Sequence, residues 1–144
     1  MKHQLLISYL EKERGLTPSE KENIRKNFKE LQLDKNQVVI HKNNAVDKLF
    51  FVNNGFLRSY YLTENEKEIT RTIAWQGRFL TNLSSFRDTH INQEIIQSIT
   101  PSEVLYITKT DFEKLINSSP NIKLLYIKLL EEYTAENTRR LEVL

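Results

Sequence analysis

The chain contains no cysteine, which excludes disulfides, thiolate metal sites and cysteine nucleophiles. Glycine is scarce too. Gly15, Gly55 and Gly77 are the only three, so a glycine-rich phosphate cradle is ruled out, and neither a Gly-x-Ser-x-Gly elbow nor a dinucleotide fingerprint occurs. His3, His41 and His90 lie far apart and none stands at metal-ligand spacing, so each reads as a surface or turn residue. Paired carboxylates such as Glu131-Glu132 read as ordinary solvent-facing charge. No enzymatic activity, no metal and no cofactor are expected from this inventory. Charge of one sign is missing as well: 21 Lys and Arg against 19 Asp and Glu leave a net +2, too little to imply nucleic-acid binding by charge alone. No apolar run approaches the ~18 residues of a membrane span. The short run in Met1–Ile7 is followed at once by Tyr9, Glu11, Lys12 and Glu13, with no signal-peptide pattern. A cytoplasmic protein with no membrane partner is the expectation.

What is present suits one soluble globular domain over 1–144. The chain has 144 residues, 39% hydrophobic and 28% charged, enough to bury a substantial core. Three regions differ in pattern. Residues 1–36 read as N-terminal helices. Leu5, Leu6, Tyr9 and Leu10 form one apolar stripe, and Gly15 breaks it. Thr17-Pro18-Ser19-Glu20 then starts a second helix with a capping residue, a first-turn proline and early acidic charge. Ile24, Phe28 and Leu31 follow at spacings of four and three, an inward helical face.

Residues 37–108 read as short strands rich in β-branched and aromatic residues: Val38–Ile40, Leu49–Val52, Phe56–Leu62, Glu68–Ala74, Glu94–Ile99 and Val104–Ile107. Asn53-Asn54-Gly55 is a hairpin signal, because these residues tolerate positive φ, and Thr63–Lys67 is a longer polar turn. Strands joined by turns argue for an antiparallel barrel or roll rather than a parallel sheet. Phe56–Tyr61 mixes Arg58 with aromatics, as a single-strand nucleic-acid surface does. Strand alternation explains it more simply, with the core on one face and Arg and Tyr on the other.

Residues 110–144 read as helices. Thr110 is expected to cap a short one carrying Phe112, Leu115 and Ile116, and Ser119-Pro120 starts a long one. On the long helix Tyr126, Leu130, Tyr133, Asn137, Leu141 (or Arg140) and Leu144 recur as a coiled-coil-like seam in which Asn137 sets register. Ile122, Leu125 and Leu129 form a second stripe suited to packing on the strands. Two apolar faces imply two partners, and the second expected partner is the same helix of another copy, giving a homodimer. A stripe packing back on its own domain is the alternative.

Trp75–Phe86 interrupts the strands with a glycine turn, the Phe79 anchor and small polar residues. Taken together, the order of elements resembles the cyclic-nucleotide-binding domain of the Crp/Fnr family of bacterial transcription regulators, over almost the whole chain. Leu49–Arg58 is similar to that family's early hairpin. Gln76-Gly77-Arg78-Phe79-Leu80 is similar to the opening of its phosphate-binding cassette. Ser102–Ile107 followed by Thr110–Leu115 is similar to its last roll strand and the helix after it.

The resemblance implies an α+β, mainly β fold: an antiparallel double-stranded β-helix, or jelly-roll-like β-roll, flanked by N-terminal helices and a long C-terminal dimerisation helix. It places the ligand site at Gly77, Phe79, Thr81, Asn82, Leu83, Ser84, Asn92 and Gln93. In cyclic AMP binders a Gly-Glu pair follows the turn and an arginine comes about ten residues later; here those positions hold Thr81-Asn82 and Asn92-Gln93. Both charged groups are missing, and Arg78 and Arg87 stand outside the expected register. The implied function is an effector-sensing and dimerisation domain, with an unidentified small-molecule effector and no conventional grip on cyclic AMP. DNA is expected to be reached only through a helix-turn-helix domain that these residues do not include, which makes a truncated piece of a longer regulator the favoured expectation. A ligand-free scaffold of the same fold is the alternative. A cupin-like enzyme would need a histidine cluster the sequence lacks.

Overall fold

The computed structural model describes residues 2–82, 86 and 91–143, of which 137–143 are described as helix backbone only. Two short helices open the chain, α1 (Gln4–Glu13) and α2 (Pro18–Asn27). The expected cap at Thr17 is present as a reciprocal box: Glu20 N–H donates to Thr17 Oγ1 at 3.1 Å and Thr17 N–H donates to Glu20 Oε1 at 2.9 Å. Eight strands follow: β1 (Lys29–Leu33), β2 (Val38–Ile40), β3 (Lys48–Asn54), β4 (Leu57–Leu62), β5 (Glu68–Ala74), β6 (Phe79–Leu80), β7 (Ile95–Ser98) and β8 (Ser102–Thr108). The chain ends in α3 (Lys109–Ser118) and α4 (Pro120–Val143). No helix among the described residues is long and apolar enough to cross a membrane.

The strands form two four-stranded antiparallel sheets, β1-β8-β3-β6 and β2-β7-β4-β5. This is the mainly β jelly-roll expected. Successive strand residues point to opposite faces, yet Phe50, Phe51 and Val52 are all fully buried. Strand β3 is therefore covered on both sides. Tyr9 of α1 stacks on Phe51 at 6.0 Å between ring centroids. Burying one such side chain contributes about 1.5–3 kcal/mol.

Four expectations need correction. Leu31 does not extend the second helix: α2 ends at Asn27, and Lys29–Leu33 pairs with β8, so the roll begins ahead of Gln37. The spacing of Ile24, Phe28 and Leu31 fits a helix, but pairing with a strand more than 70 residues away overrides it (Gln32↔Glu103). Asn53-Asn54-Gly55 turns the chain without making a hairpin, because β3 and β4 lie in different sheets. At this corner Gly55 has φ +101°, and a Cβ on it would sit 2.2 Å from Ser102 Oγ. Thr63–Lys67 does close a hairpin, β4 with β5. The helix cap is Thr108, which accepts from Asp111 N–H at 3.2 Å, rather than Thr110. Finally, a register shift between Ser59 and Tyr60 turns Tyr60 inward to 7% exposure instead of leaving it on the solvent face. Arg58 lies 4.0 Å over its ring and is bonded to Glu68 and Gln97.

Helix α4 leaves the domain at a fixed point. Buried Glu20 accepts from the Ser119 hydroxyl and, at 3.1 Å, from Asn121 Nδ2, while Ser119 Oγ caps the Ile122 N–H at 3.2 Å. Ile122 and Leu125 are buried beneath the helix and Leu129 packs on the core, as their stripe predicts.

Candidate functional site

Beyond β5 the backbone must reverse to bring β6 beside β3. Gly77 permits this with φ +86°; a Cβ there would meet nothing within 4 Å, so glycine is needed for its conformation, not for space. Gly77 N–H donates to Val52 O at 2.8 Å, Val52 N–H donates to Arg78 O at 3.0 Å, and Arg78 N–H closes the turn onto Trp75 O at 3.1 Å. The Phe79 ring then lies against Phe51 at 5.0 Å and Tyr9 at 5.7 Å. The anchor anticipated at Phe79 is real.

The polar residues after the anchor are bonded within the protein. Thr81 Oγ1 donates to Lys48 O at 2.9 Å, and Asn82 Nδ2 donates to Asn92 Oδ1 at 2.9 Å. Asn92 is 1% exposed. Its amide donates to His41 O at 2.9 Å and Glu94 O at 2.7 Å, and its Oδ1 also accepts from Glu94 N–H at 3.0 Å. Two donors and two acceptor positions are all used. Asn92 thus clamps three segments, at the place where the resemblance puts a phosphate-binding arginine. Gln93 beside it is exposed. Leu83, Ser84 and Arg87 lie outside the described residues. Phe86 is buried on Phe112, 5.5 Å between centroids. Burial pushes the Glu94 carboxyl above its ordinary pKa, and Arg71, 3.2 Å away, acts in the opposite direction.

The cassette turn meets α4 directly. Phe79 N–H donates to Tyr133 Oη at 3.1 Å, and Arg78 Nη2 donates to Glu136 Oε2 at 2.5 Å. The guanidinium lies 4.7 Å over the Trp75 ring and 5.3 Å from the Tyr133 ring. Burial raises the pKa of the Tyr9 hydroxyl beside them, and the neighbouring Tyr133 raises it further. Tyr126 packs edge-on against Phe112 at 5.0 Å. Tyr126 and Tyr133, anticipated as seam residues, are thus turned toward their own domain. Leu124 and Ile127 are exposed on the other side of the helix. Leu130 is half-buried between the two faces. The side chains of Asn137, Leu141 and Leu144 are not among those described.

Between the roll, the first two helices, α3 and α4 lies an apolar cavity of about 150 Å³, walled by residues including Leu49, Leu80, Phe112, Leu125, Leu129 and Leu130. Thr81 reaches it from the cassette. A polar recess lined by Tyr9, Arg78, Glu132, Tyr133 and Glu136 adjoins it, and Arg78 and Tyr133 belong to both. Sequence reading placed neither Glu136 nor Tyr9 at the site. Arg78 and Glu136 are 58 residues apart, and no local pattern links them.

Residues 30–119 match the family described as the cyclic nucleotide-binding domain, and the chain belongs to that family. Its fold is that of Crp/Fnr-type sensor domains. The structure of Thermus thermophilus catabolite activator protein superposes with a TM-score of 0.74 at 18% identity, covering 90% of this chain and 61% of that one. The sensor domain of the transcriptional regulator DNR from Pseudomonas aeruginosa gives 0.74 at 17% identity, over 99% and 92%. A CooA mutant from Carboxydothermus hydrogenoformans gives 0.69 at 21%, over 92% and 82%. The chain therefore spans less than two thirds of the Thermus activator. At these identities the likeness is one of fold. No curated protein sequence matches the chain.

Proposed function

We propose that the chain is the effector-sensing and dimerisation domain of a Crp/Fnr-like transcription regulator, and that its cassette no longer grips a cyclic phosphate. The observation that carries this reading is Asn92. A guanidinium at that position would pair bidentately with a phosphate; the amide found there has spent every hydrogen bond on His41, Glu94 and Asn82. Thr81 and Asn82 supply no charge in place of a ribose-binding glutamate. Signalling is assigned to the contact between the cassette turn and α4, since an effector that separates Arg78 and Phe79 from Glu136 and Tyr133 changes how the helix leaves the domain. The protein acts in the cytoplasm and has no catalytic role.

The homodimer is assigned to the face of α4 left open by its intramolecular contacts. Leu124 and Ile127, both exposed, stand three residues apart on it, the spacing of neighbours on one helical face. DNA contact belongs to a further domain following the helix, as in the regulators this fold resembles. The test is a thermal-shift screen of cyclic nucleotides and small organic anions against the domain. The reading expects a response to a compound other than a cyclic nucleotide. The ligand-free scaffold reading has one observation in its favour, that Tyr133 and Glu136 already occupy the turn's donors; silence from every compound supports it.

A further inference from the structure

Among the described residues lining the apolar cavity, Arg78 is the one charged side chain. Its guanidinium stands where the cavity joins the polar recess, with Trp75 and Tyr133 rings beside it and a carboxylate already bound. An apolar chamber with a single cation at its mouth is complementary to a molecule with an apolar body and an anionic head. Glu136 shows that a carboxylate fits the guanidinium from the recess side. It is also the group such a molecule must displace.

We propose that the cavity is a binding site for small amphipathic carboxylates, with Arg78 reading the carboxylate and Glu136 as the resident competitor. A cavity near 150 Å³ walled by Leu, Ile and Phe accepts a body on the order of a benzene ring or a six-carbon chain, so short-chain aliphatic and arylalkyl acids are the class. The head takes the edge of the guanidinium that Glu136 holds, and the planar fork pairs with it bidentately. Released, Glu136 turns to water beside Glu132, which is already exposed on the same helix. Binding therefore removes the ion pair between the cassette turn and α4. The apolar body meanwhile fills the space beneath Leu129 and Leu130. The ligand thus acts on the exit angle of α4.

This inference rests on the sensor reading, and one experiment separates their failures. Trp75 is the chain's single tryptophan and lies on the Arg78 guanidinium, so its emission reports on the site. The domain is titrated with hexanoate, phenylacetate, 1-hexanol, 2-phenylethanol and cyclic AMP, following Trp75 fluorescence and melting temperature together. The two acids are expected to saturate both signals, and the alcohols to bind about tenfold or more weakly, as loss of a charge-assisted pair dictates. Arg78→Gln is expected to remove that preference. Glu136→Gln, which leaves the guanidinium in place and removes only its competitor, is expected to tighten the acids several-fold. Acids no better than alcohols, or an unchanged or weaker acid affinity in Glu136→Gln, overturns the proposal. A saturable response to cyclic AMP that survives Arg78→Gln instead overturns the sensor reading beneath it.

Discussion

The guanidinium of Arg78 lies 2.5 Å from the carboxylate of Glu136, joining the tip of the β5–β6 turn to a helix 58 residues further on. One residue along, Tyr133 Oη takes the Phe79 N–H. The two contacts form a short bridge between the cassette and α4. An exposed ion pair contributes little, but both partners here are partly sheltered and Arg78 also lies against two rings. Tyr133→Phe removes the acceptor and leaves the Phe79 N–H without its partner. The expected cost is about 1 kcal/mol in denaturant unfolding, with faster amide exchange at Phe79 and unchanged exchange in β8. Unaltered exchange at Phe79 argues against the bridge.

Asn92 makes a different prediction. Removing its buried amide takes the partner from two backbone carbonyls and one N–H and a hydrogen bond from Asn82. Asn92→Ala is therefore expected to cost about 2–4 kcal/mol, measured by chemical denaturation. Asn92→Arg should be as damaging and should confer no cyclic AMP binding, because the new side chain inherits a clamp rather than an open pocket. A stable, nucleotide-binding Asn92→Arg protein contradicts the reading of this position.

The acid limb of stability is assigned to Glu20. The Ser119 hydroxyl, then the Thr17 backbone and Asn121, hold its carboxyl below the ordinary 4.5. A depressed folded-state pKa contributes stability that is fully present above about pH 4.5 and lost as pH falls through the lower folded value. Glu20→Gln should flatten that loss. Glu94 has the opposite sign. Burial raises its folded pKa, so its ionisation costs stability as pH rises past 4.5. Glu94→Gln should gain on the wild type toward neutral pH, and the gap should close in acid. Denaturation midpoints from pH 3 to 8 check both.

How much of this was legible beforehand varies with the distance over which each feature is decided. The Thr17 capping box and the Thr63–Lys67 hairpin are settled within a few residues, and both were readable. Asn53-Asn54-Gly55 announced a turn, but its flanking strands choose partners in separate sheets: Phe51 pairs with Leu105, Leu57 with Ser98. No local signal carries that choice. Leu31 fits a helical period that pairing with Val104 overrides. The periodicity of Tyr126 and Tyr133 was correct, but periodicity defines a face without saying what it meets. The turn at Gly77 and the inward Phe79 were legible in the sequence. The bridge was not, because a lone arginine and a glutamate on a distant helix resemble ordinary surface charge until the fold joins them.

The open face of α4 predicts its own result. Ile127 is 41% exposed, so Ile127→Asp should change the stability of a monomer by no more than about 0.5 kcal/mol. In sedimentation velocity the wild type should run as a dimer and the variant as a monomer. A variant that remains dimeric moves the interface away from this face.

Whether the cassette still grips a cyclic phosphate is the central question, and a melting titration with cyclic AMP answers it. A site of micromolar affinity exposed to about millimolar ligand gains about 4 kcal/mol, which raises the melting temperature of a domain this size by on the order of 10 °C. With Asn92 committed to its own backbone and Thr81 and Asn82 uncharged, the account predicts no saturable shift. A saturable rise that disappears on substitution of Thr81 or Asn82 would contradict it.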